Sequence, residues 1–403
     1  MSSKIRKDSL NTDLSEPAPI PKIGIDRATE IMRSGRLFRY GEFQNGKSEV
    51  ASLEREFSQY IGSRYAVATN SCGSAMFNGL KSVGVVPGDK VLVNTFTLAP
   101  VPGAISHAGA NPVFVESDKN CRLDLNDLQH KAKSGAKLLL LSHMRGHIAD
   151  MDKVQEICKT YEIRLIEDCA HTLGARWNRK ASGTFGNAAC FSLQTFKHIN
   201  AGEGGILTTD DDDIAAQAIL YAGSYMLYAQ NGARPPLEVF ERHKRLIPNF
   251  SLRMHEVTAA VARPQIDMLE ERAKAWQKRY KWLVDFLGEI EHIRLPDRDL
   301  KEDFIPSSIQ FFLDNLSADA ISNILDHCRR RGLDIKWFGN PIPQGFTSTW
   351  EDWKYIADNQ TLPYTKTMLH SLCDMRIPLT IKKAECRLIA QILNEAITLV
   401  ESS

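Results

Sequence analysis

Between Tyr65 and Glu167 the chain repeats one unit: a short apolar run, a turn, then an amphipathic stretch. Tyr65 to Ala68, Lys90 to Val93, Pro112 to Glu116, Ala136 to Ser142 and Ile163 to Glu167 read as strands. They are apolar nearly throughout rather than alternating, as expected of strands covered on both faces. Helices are expected from Ser74 to about Val83, from Val101 to Ala108, from Asp124 to Ala132 and from Met151 to Tyr161. This alternation predicts an α/β domain, a mainly parallel sheet between two layers of helices. Such sheets bind ligands at the carboxyl ends of their strands. The Asn70–Ser74 loop, Asp168 and the loop after Leu141 all fall there.

Outside that region the pattern is looser. Ile25 to Ser34 and Val50 to Ile61 read as helices, the second with Leu53, Phe57 and Ile61 at helical spacing. Asp210 to Asp213 is expected to be a solvated turn opening a helix. Tyr221 to Pro248 looks irregular and holds Arg242-His243-Lys244-Arg245, a solvated face or a phosphate-recognising cluster. His255 to Tyr280 reads as one long helix kinked at Pro264. Beyond Arg294, strands at Ser308–Leu313, Leu333–Trp337 and Asp374–Ile377 alternate with helices at Ala318–Arg330 and Lys382–Val400. The division expected is a flexible lead-in (1–21), a large α/β domain (22–260), and a long connecting helix with a smaller C-terminal α+β domain (261–403).

With 50 basic and 49 acidic residues, net charge offers no argument for nucleic-acid or membrane binding. No run has the apolar length of a membrane span, and Met1 to Pro21 lacks the apolar core of a secretory signal. The 8 cysteines form no CxxC pair and read as reduced thiols, which makes the cytoplasm the expected location.

Two segments carry chemistry. One is Leu165-Ile166-Glu167-Asp168-Cys169-Ala170-His171, a buried strand ending in acid. The other is Phe191-Ser192-Leu193-Gln194-Thr195-Phe196-Lys197, followed by Gly202-Glu203-Gly204-Gly205. A lysine able to form a Schiff base, an aspartate at a strand end, and small residues able to cradle phosphate are what pyridoxal phosphate requires. The lysine holds the aldehyde, the acid keeps the pyridine nitrogen protonated, and hydroxyls and backbone amides take the phosphate.

On these motifs the chain resembles the DegT/StrS sugar aminotransferases, which have the fold-type-I architecture. Landmarks run in that family's order from about Gly41 to about Leu393. The resemblance implies Lys197 as the catalytic lysine and Asp168 as partner of the pyridine nitrogen. It implies His171 near the cofactor's phenolic oxygen, Ala170 against one ring face, and Ser192, Gly73 and Ser74 around the phosphate. Glu167 is expected to be structural. It also implies a homodimer with active sites at the interface, a sugar substrate and an amino-acid donor, glutamate.

The chain departs from the family pattern in four places. Cys72-Gly73 stands where the family has Gly-Thr, leaving the hydroxyl to Ser74. Leu98 stands where the family stacks an aromatic on the cofactor, so Leu98 packs there or Phe96 substitutes. Ser251-Leu252-Arg253-Met254 replaces a motif whose asparagine reaches the phosphate across the dimer; Ser251 or Asn249 would do so here. Arg145 replaces a tyrosine and points either toward substrate, suggesting a sugar acid such as an oxo-octulosonate, or to solvent. Arg145 and Arg253 are the substrate candidates. His143, His147, Asp150 and Asp152 do not make a metal site, because Gly146 argues against the helix they would need. Rival functions are a sugar dehydratase of the same fold, in which histidine replaces the lysine, and a non-catalytic cofactor sensor.

Overall fold

The computed structural model describes residues 9–41, 48–356 and 360–402. Its main sheet has seven strands in the order Tyr65–Thr69, Gly205–Thr209, Ala188–Ser192, Arg164–Asp168, Leu138–Ser142, Lys90–Asn94, Asn111–Val115. Gly205–Thr209 runs antiparallel to both neighbours; the other pairs are parallel. All five strands expected between Tyr65 and Glu167 are present. Ala188–Ser192 and Gly205–Thr209 were not anticipated. Alanine, glycine and threonine make up much of both, so their apolar signal is weak.

The continuous apolar runs have a clear cause. Leu138 and Leu140 pack into one core with Val91, Val93, Met76 and Leu80. Leu139 and Leu141 point the other way, into a second core with Leu92, Val154 and Leu128. With a two-residue side-chain period and helices on both faces, every position is inside. Four of these helices begin at side-chain caps: Ser71, Asp124, Asp150 and Asp211 each accept an N–H three residues on. The Asp210–Asp213 run therefore opens a helix, as expected.

Pro264 does more than kink the helix expected from His255 to Tyr280. Helices Glu256–Ala262 and Leu269–Leu287 are separate, with a 3₁₀ turn at Arg263–Gln265 between them. Proline lacks the N–H and clashes with the preceding turn, so the ladder ends there. A short helix, Leu237–His243, interrupts the segment expected to be irregular.

The C-terminal sheet is antiparallel, in the order Ile293–Arg294, Ser308–Leu313, Leu372–Arg376, Lys336–Trp337. Its core is continuous with that of the main sheet: Ile309, Phe311, Ile389 and Leu393 share a cluster with Leu139 and Leu165. Glu302–Asp303 also pairs with Arg176–Trp177 of the larger part. The described part of the lead-in, residues 9–21, is not loose. Leu10 is buried, its N–H donates to the Arg331 carbonyl at 2.8 Å, and the Pro19 carbonyl accepts from Arg272 Nη2 at 2.8 Å. An apolar residue flanked by backbone hydrogen bonds gives this polar stretch an anchor. Residues 1–8 lie outside the described part. No described helix is long and apolar enough to cross a membrane.

Candidate active site

Strand register builds the centre of the site. Asp168 ends its strand directly opposite Ser142. Ser142 Oγ donates to Asp168 Oδ2 at 2.8 Å, and the Ala170 N–H donates to Oδ1 at 3.1 Å. The Ser142 N–H is itself held by Asn94 Oδ1 at 2.8 Å. Glu167, one residue earlier, faces the other way and is fully buried. It accepts from the N–H groups of Gly183, Phe185 and Gly186 and faces His143 Nε2 at 3.2 Å, a structural role as expected.

Lys197 sits in the turn after Ala188–Ser192. Its Nζ lies 2.8 Å from His171 Nε2. Burial, and then the Arg145 guanidinium, push the Lys197 amine down to about 7, against the pull of Asp168. Burial and the neighbouring Lys197 hold the buried His171 imidazole well below its ordinary range. At neutral pH a neutral imidazole thus faces an amine that is partly unprotonated.

Beside this pair begins the Cys72–Ser82 helix. Ser71 Oγ caps it, accepting from the Ser74 N–H at 3.1 Å and lying 3.0 Å from Ser74 Oγ. Its first turn carries no acid, so nothing opposes an anion at the positive end of the helix dipole. At Gly73 a Cβ would meet only Ser71 Oγ, at 3.8 Å, so the helix start faces open space. Gly205 is different: a Cβ there would lie 2.2 Å from the Ser71 carbonyl oxygen, so only glycine lets the strand and loop approach. Gly205 pairs with Ser192, which brings that serine beside the loop. Ser71, Gly73 and Ser74 line a cavity of about 1000 Å³ together with Leu252, Phe250 and His107.

Residues 24–393 match the model of the DegT/DnrJ/EryC1/StrS aminotransferase family. The chain belongs to that family. The spore coat polysaccharide biosynthesis protein SpsC of Bacillus subtilis (strain 168) is 30% identical over 268 residues, covering 64% of this chain and 65% of its own length. The GDP-perosamine synthase of Caulobacter vibrioides is 31% identical over 266 residues, covering 66% of this chain and 67% of its own. The chain thus spans about two thirds of the length of these curated relatives, just under it for SpsC. A crystal structure of 3-amino-5-hydroxybenzoic acid synthase superposes with a TM-score of 0.80 at 25% identity, covering 95% of this chain and 99% of that one.

The cofactor of this DegT/DnrJ/EryC1/StrS member is pyridoxal phosphate. The donor set fits it: a lysine amine, an oriented carboxylate at a strand end, and an open, acid-free helix start flanked by Ser74 and Ser192. Cys72 Sγ lies 4.0 Å from Asp168 Oδ1, and burial pushes its thiol well above the ordinary range. It remains a neutral thiol and brings no hydroxyl; the hydroxyl at the helix start belongs to Ser74.

Phe96 is buried in the core, edge-on against Phe338 with ring centroids 5.1 Å apart, and Leu98 is half-buried. Arg145 does not point to solvent. It is 8% exposed, donates from Nη2 to Asp374 Oδ2 at 2.7 Å, and lies over the Phe346 ring at 4.6 Å. Arg253 secures its own loop, donating to the Gly223 carbonyl at 2.9 Å and to Ser251 Oγ at 3.1 Å. That loop is tied to the helix start, since the Asn70 N–H donates to the Leu252 carbonyl at 2.8 Å. Ser251 is exposed, whereas Asn249 Oδ1 is engaged by the Tyr225 N–H at 3.2 Å.

His147, Asp150 and Asp152 are each engaged by other partners: His147 meets Gln310 at 2.9 Å, Asp150 caps a helix, and Asp152 accepts from Lys301 at 2.7 Å. His143, Glu167 and Cys169 do cluster, but Glu167 already serves three backbone N–H groups there. Arg242 and His243 both pair with Asp213 at the surface, at 2.7 Å and 2.5 Å.

Ser142 and Arg376 were missed. Ser142 ends a run of four leucines, and its polarity was the available signal. Asp374 and Arg376 lie two apart on one strand, hence on one face. That this face turns toward Lys197 is not written locally.

Proposed function

We propose that this protein transfers an amino group from an amino acid, glutamate, to the carbonyl of a keto- or aldehydo-sugar, as a cytoplasmic homodimer in amino-sugar biosynthesis. The observation that carries this is the Lys197 amine, pushed down to about 7 and set 2.8 Å from a neutral His171, within the field of Asp168. The names of the relatives, a GDP-perosamine synthase and a spore coat polysaccharide protein, favour a sugar acceptor. All eight cysteines are free, which fits a reducing compartment.

When bound, pyridoxal phosphate supplies an aldehyde and an electron-withdrawing cationic ring. Asp168, oriented by Ser142 and Ala170, would hold the ring nitrogen. Ser74, Ser192 and the N–H groups at Cys72 and Gly73 would hold the phosphate. Leu98 and Ala170 would flank the ring, and His171 would orient Lys197 and the phenolic oxygen. Lys197 Nζ would take the proton from the donor Cα, a task suited to an amine titrating near neutrality. The exposed Ser251 and the open cavity beside it suit a second subunit that completes the phosphate site. The tyrosine-to-arginine departure at 145 leaves a lysine-based transferase intact and bears on what the sugar carries.

The test is the absorbance spectrum of the purified protein with pyridoxal phosphate, before and after excess glutamate, beside Lys197→Ala. A visible band that glutamate bleaches in the wild type and not in the variant is expected. A wild type that forms no band, or keeps it, overturns the proposal.

A further inference from the structure

Residues 9–19 precede the range matched by the family, 24–393, yet they are held at both ends. At one end Leu10 sits in the apolar core with Leu325, Cys328 and Leu333. Gly332 makes its seat: it has φ +80°, and a Cβ there would lie 2.3 Å from the Leu10 carbonyl oxygen. Only glycine lets the two backbones approach so closely in that conformation. The bond from the Leu10 N–H to the Arg331 carbonyl closes the same contact. Further along, the Thr12 hydroxyl bonds to Glu385, and Glu16 Oε2 accepts from Thr380 Oγ1 at 2.6 Å. Both partners belong to the C-terminal part.

At its other end the segment meets the lysine turn. Asn200 Nδ2 donates to the Ala18 carbonyl at 2.9 Å. Arg272, 4% exposed, bridges two backbones. Its Nη2 donates to the Pro19 carbonyl at 2.8 Å, and its Nη1 to the carbonyl of His198, the residue after Lys197, at 3.2 Å. Nη1 also reaches Gln265 Oε1 at 2.8 Å, and Gln265 clasps the turn in its own right: Oε1 accepts from the Asn200 N–H at 3.0 Å and Nε2 donates to the Asn200 carbonyl at 2.7 Å. Each of these acceptors of the guanidinium is a neutral oxygen. Between the two ends, Leu14, Glu16, Pro17 and Ala18 line one side of the narrow cleft that holds Lys197.

Ordering so polar a stretch costs conformational entropy, which the Leu10 seat and these bonds offset. A buried guanidinium must keep its acceptors. Without the Pro19 carbonyl, Arg272 has to turn toward another partner, and the His198 carbonyl and the Asn200 N–H lose the frame that fixes them.

We propose that residues 9–19 are a strap that holds the Lys197 turn in register with the C-terminal part, and that Arg272 is the positioning residue through which it acts. The inference rests on Lys197 being the reacting amine. An amine that must reach the donor Cα tolerates little displacement: a shift of about 1 Å can cost about 100-fold in rate.

The experiment uses the full chain, wild type beside Leu10→Asp, Leu10→Met and Arg272→Gln. Leu10→Asp puts a charge into the seat, at the end of the strap away from the lysine turn; Leu10→Met refills it. Hydrogen exchange on the cofactor-free protein reads the strap and the turn. The glutamate dependence of bleaching in the cofactor-loaded protein reads the lysine. In Leu10→Asp, residues 9–19 are expected to exchange freely and the Asn200 N–H about 10-fold faster than in the wild type. The maximal bleaching rate is expected to fall about 10- to 100-fold, with half-saturating glutamate unchanged within about twofold. Arg272→Gln should give the same fall with Leu10 still seated, and Leu10→Met should restore wild-type behaviour. A strap that only adds stability leaves the bleaching rate of the folded protein alone. Free exchange of the strap with a maximal rate within about twofold of wild type therefore overturns the proposal. So does a Leu10→Asp protein whose strap stays protected, since the seat is then not the anchor. If Leu10→Asp does not fold, Arg272→Gln carries the test, and an unchanged maximal rate there overturns it equally. Failure of the transfer reading shows separately, as a visible band that glutamate does not bleach in the wild type.

Discussion

The floor of the site and its roof are held differently. On the floor, parallel strand register alone puts Asp168 beside Ser142, and the pairing of Ser192 with Gly205 brings the phosphate-side loop alongside. On the roof, residues far apart in sequence meet through side chains: Arg145 reaches Asp374, and Asp374 reaches Gln310, which reaches His147. The floor rests on many backbone hydrogen bonds and two apolar cores. The roof rests on a few charged contacts in a nearly dry space, where losing one partner strands the other.

The largest effect is expected on the floor. Lys197→Ala should slow glutamate-driven bleaching by about 10⁴-fold or more without changing the circular dichroism spectrum. Bleaching at a tenth of the wild-type rate would show that another group moves the proton. Next comes the roof: Asp374→Ala leaves Arg145 buried and unpaired and should cost about 3–5 kcal/mol in urea unfolding. A loss below about 1 kcal/mol would erase the contrast drawn above, since Arg145 would then have another acceptor.

Ser142→Ala should cost less, about 1.5–3 kcal/mol by the same titration, because Asp168 keeps the Ala170 N–H and its strand. A loss matching that of Asp374→Ala would mean the floor, too, depends on single side chains. The two halves meet in the titration of Lys197. Its folded-state value of about 7 lies below its usual 10.5, so the folded protein binds fewer protons between those values and stability rises with pH across that window. In cofactor-free protein, trapping of Lys197 by an aldehyde and borohydride should rise with pH, half-maximal near 7. Arg145→Gln should move that midpoint upward by removing repulsion from the roof; an unmoved midpoint would show that burial alone sets it. Smallest is Arg242→Ala, a surface pair, expected within about 0.5 kcal/mol and serving as a control.

The same division separates what was legible from what was not. The strands from Tyr65 to Asp168, the capped helices and Lys197 with its flanking serine and glycines could be read because each is a local pattern. Ser142 could have been read, as the polar end of an apolar strand. Phe96 turning into the core, Asn249 binding Tyr225 and Leu10 docking on the C-terminal part could not, since each depends on a surface assembled from distant segments. His171 was assigned to the cofactor from its position; its contact with Lys197 appears only once the turn after Ser192 is placed.

By itself, then, the sequence determined the α/β layering and the residues at the carboxyl ends of its strands. Hydrophobic period, capping residues and turn glycines act over a few positions, and strand ends inherit their location from them. The tertiary structure alone decided which arginines face the lysine, which cation is satisfied and how far the amine is shifted. Those are matters of distance and dielectric between segments separated by hundreds of residues: Arg145 and Asp374 stand 229 positions apart in the chain and 2.7 Å apart in space.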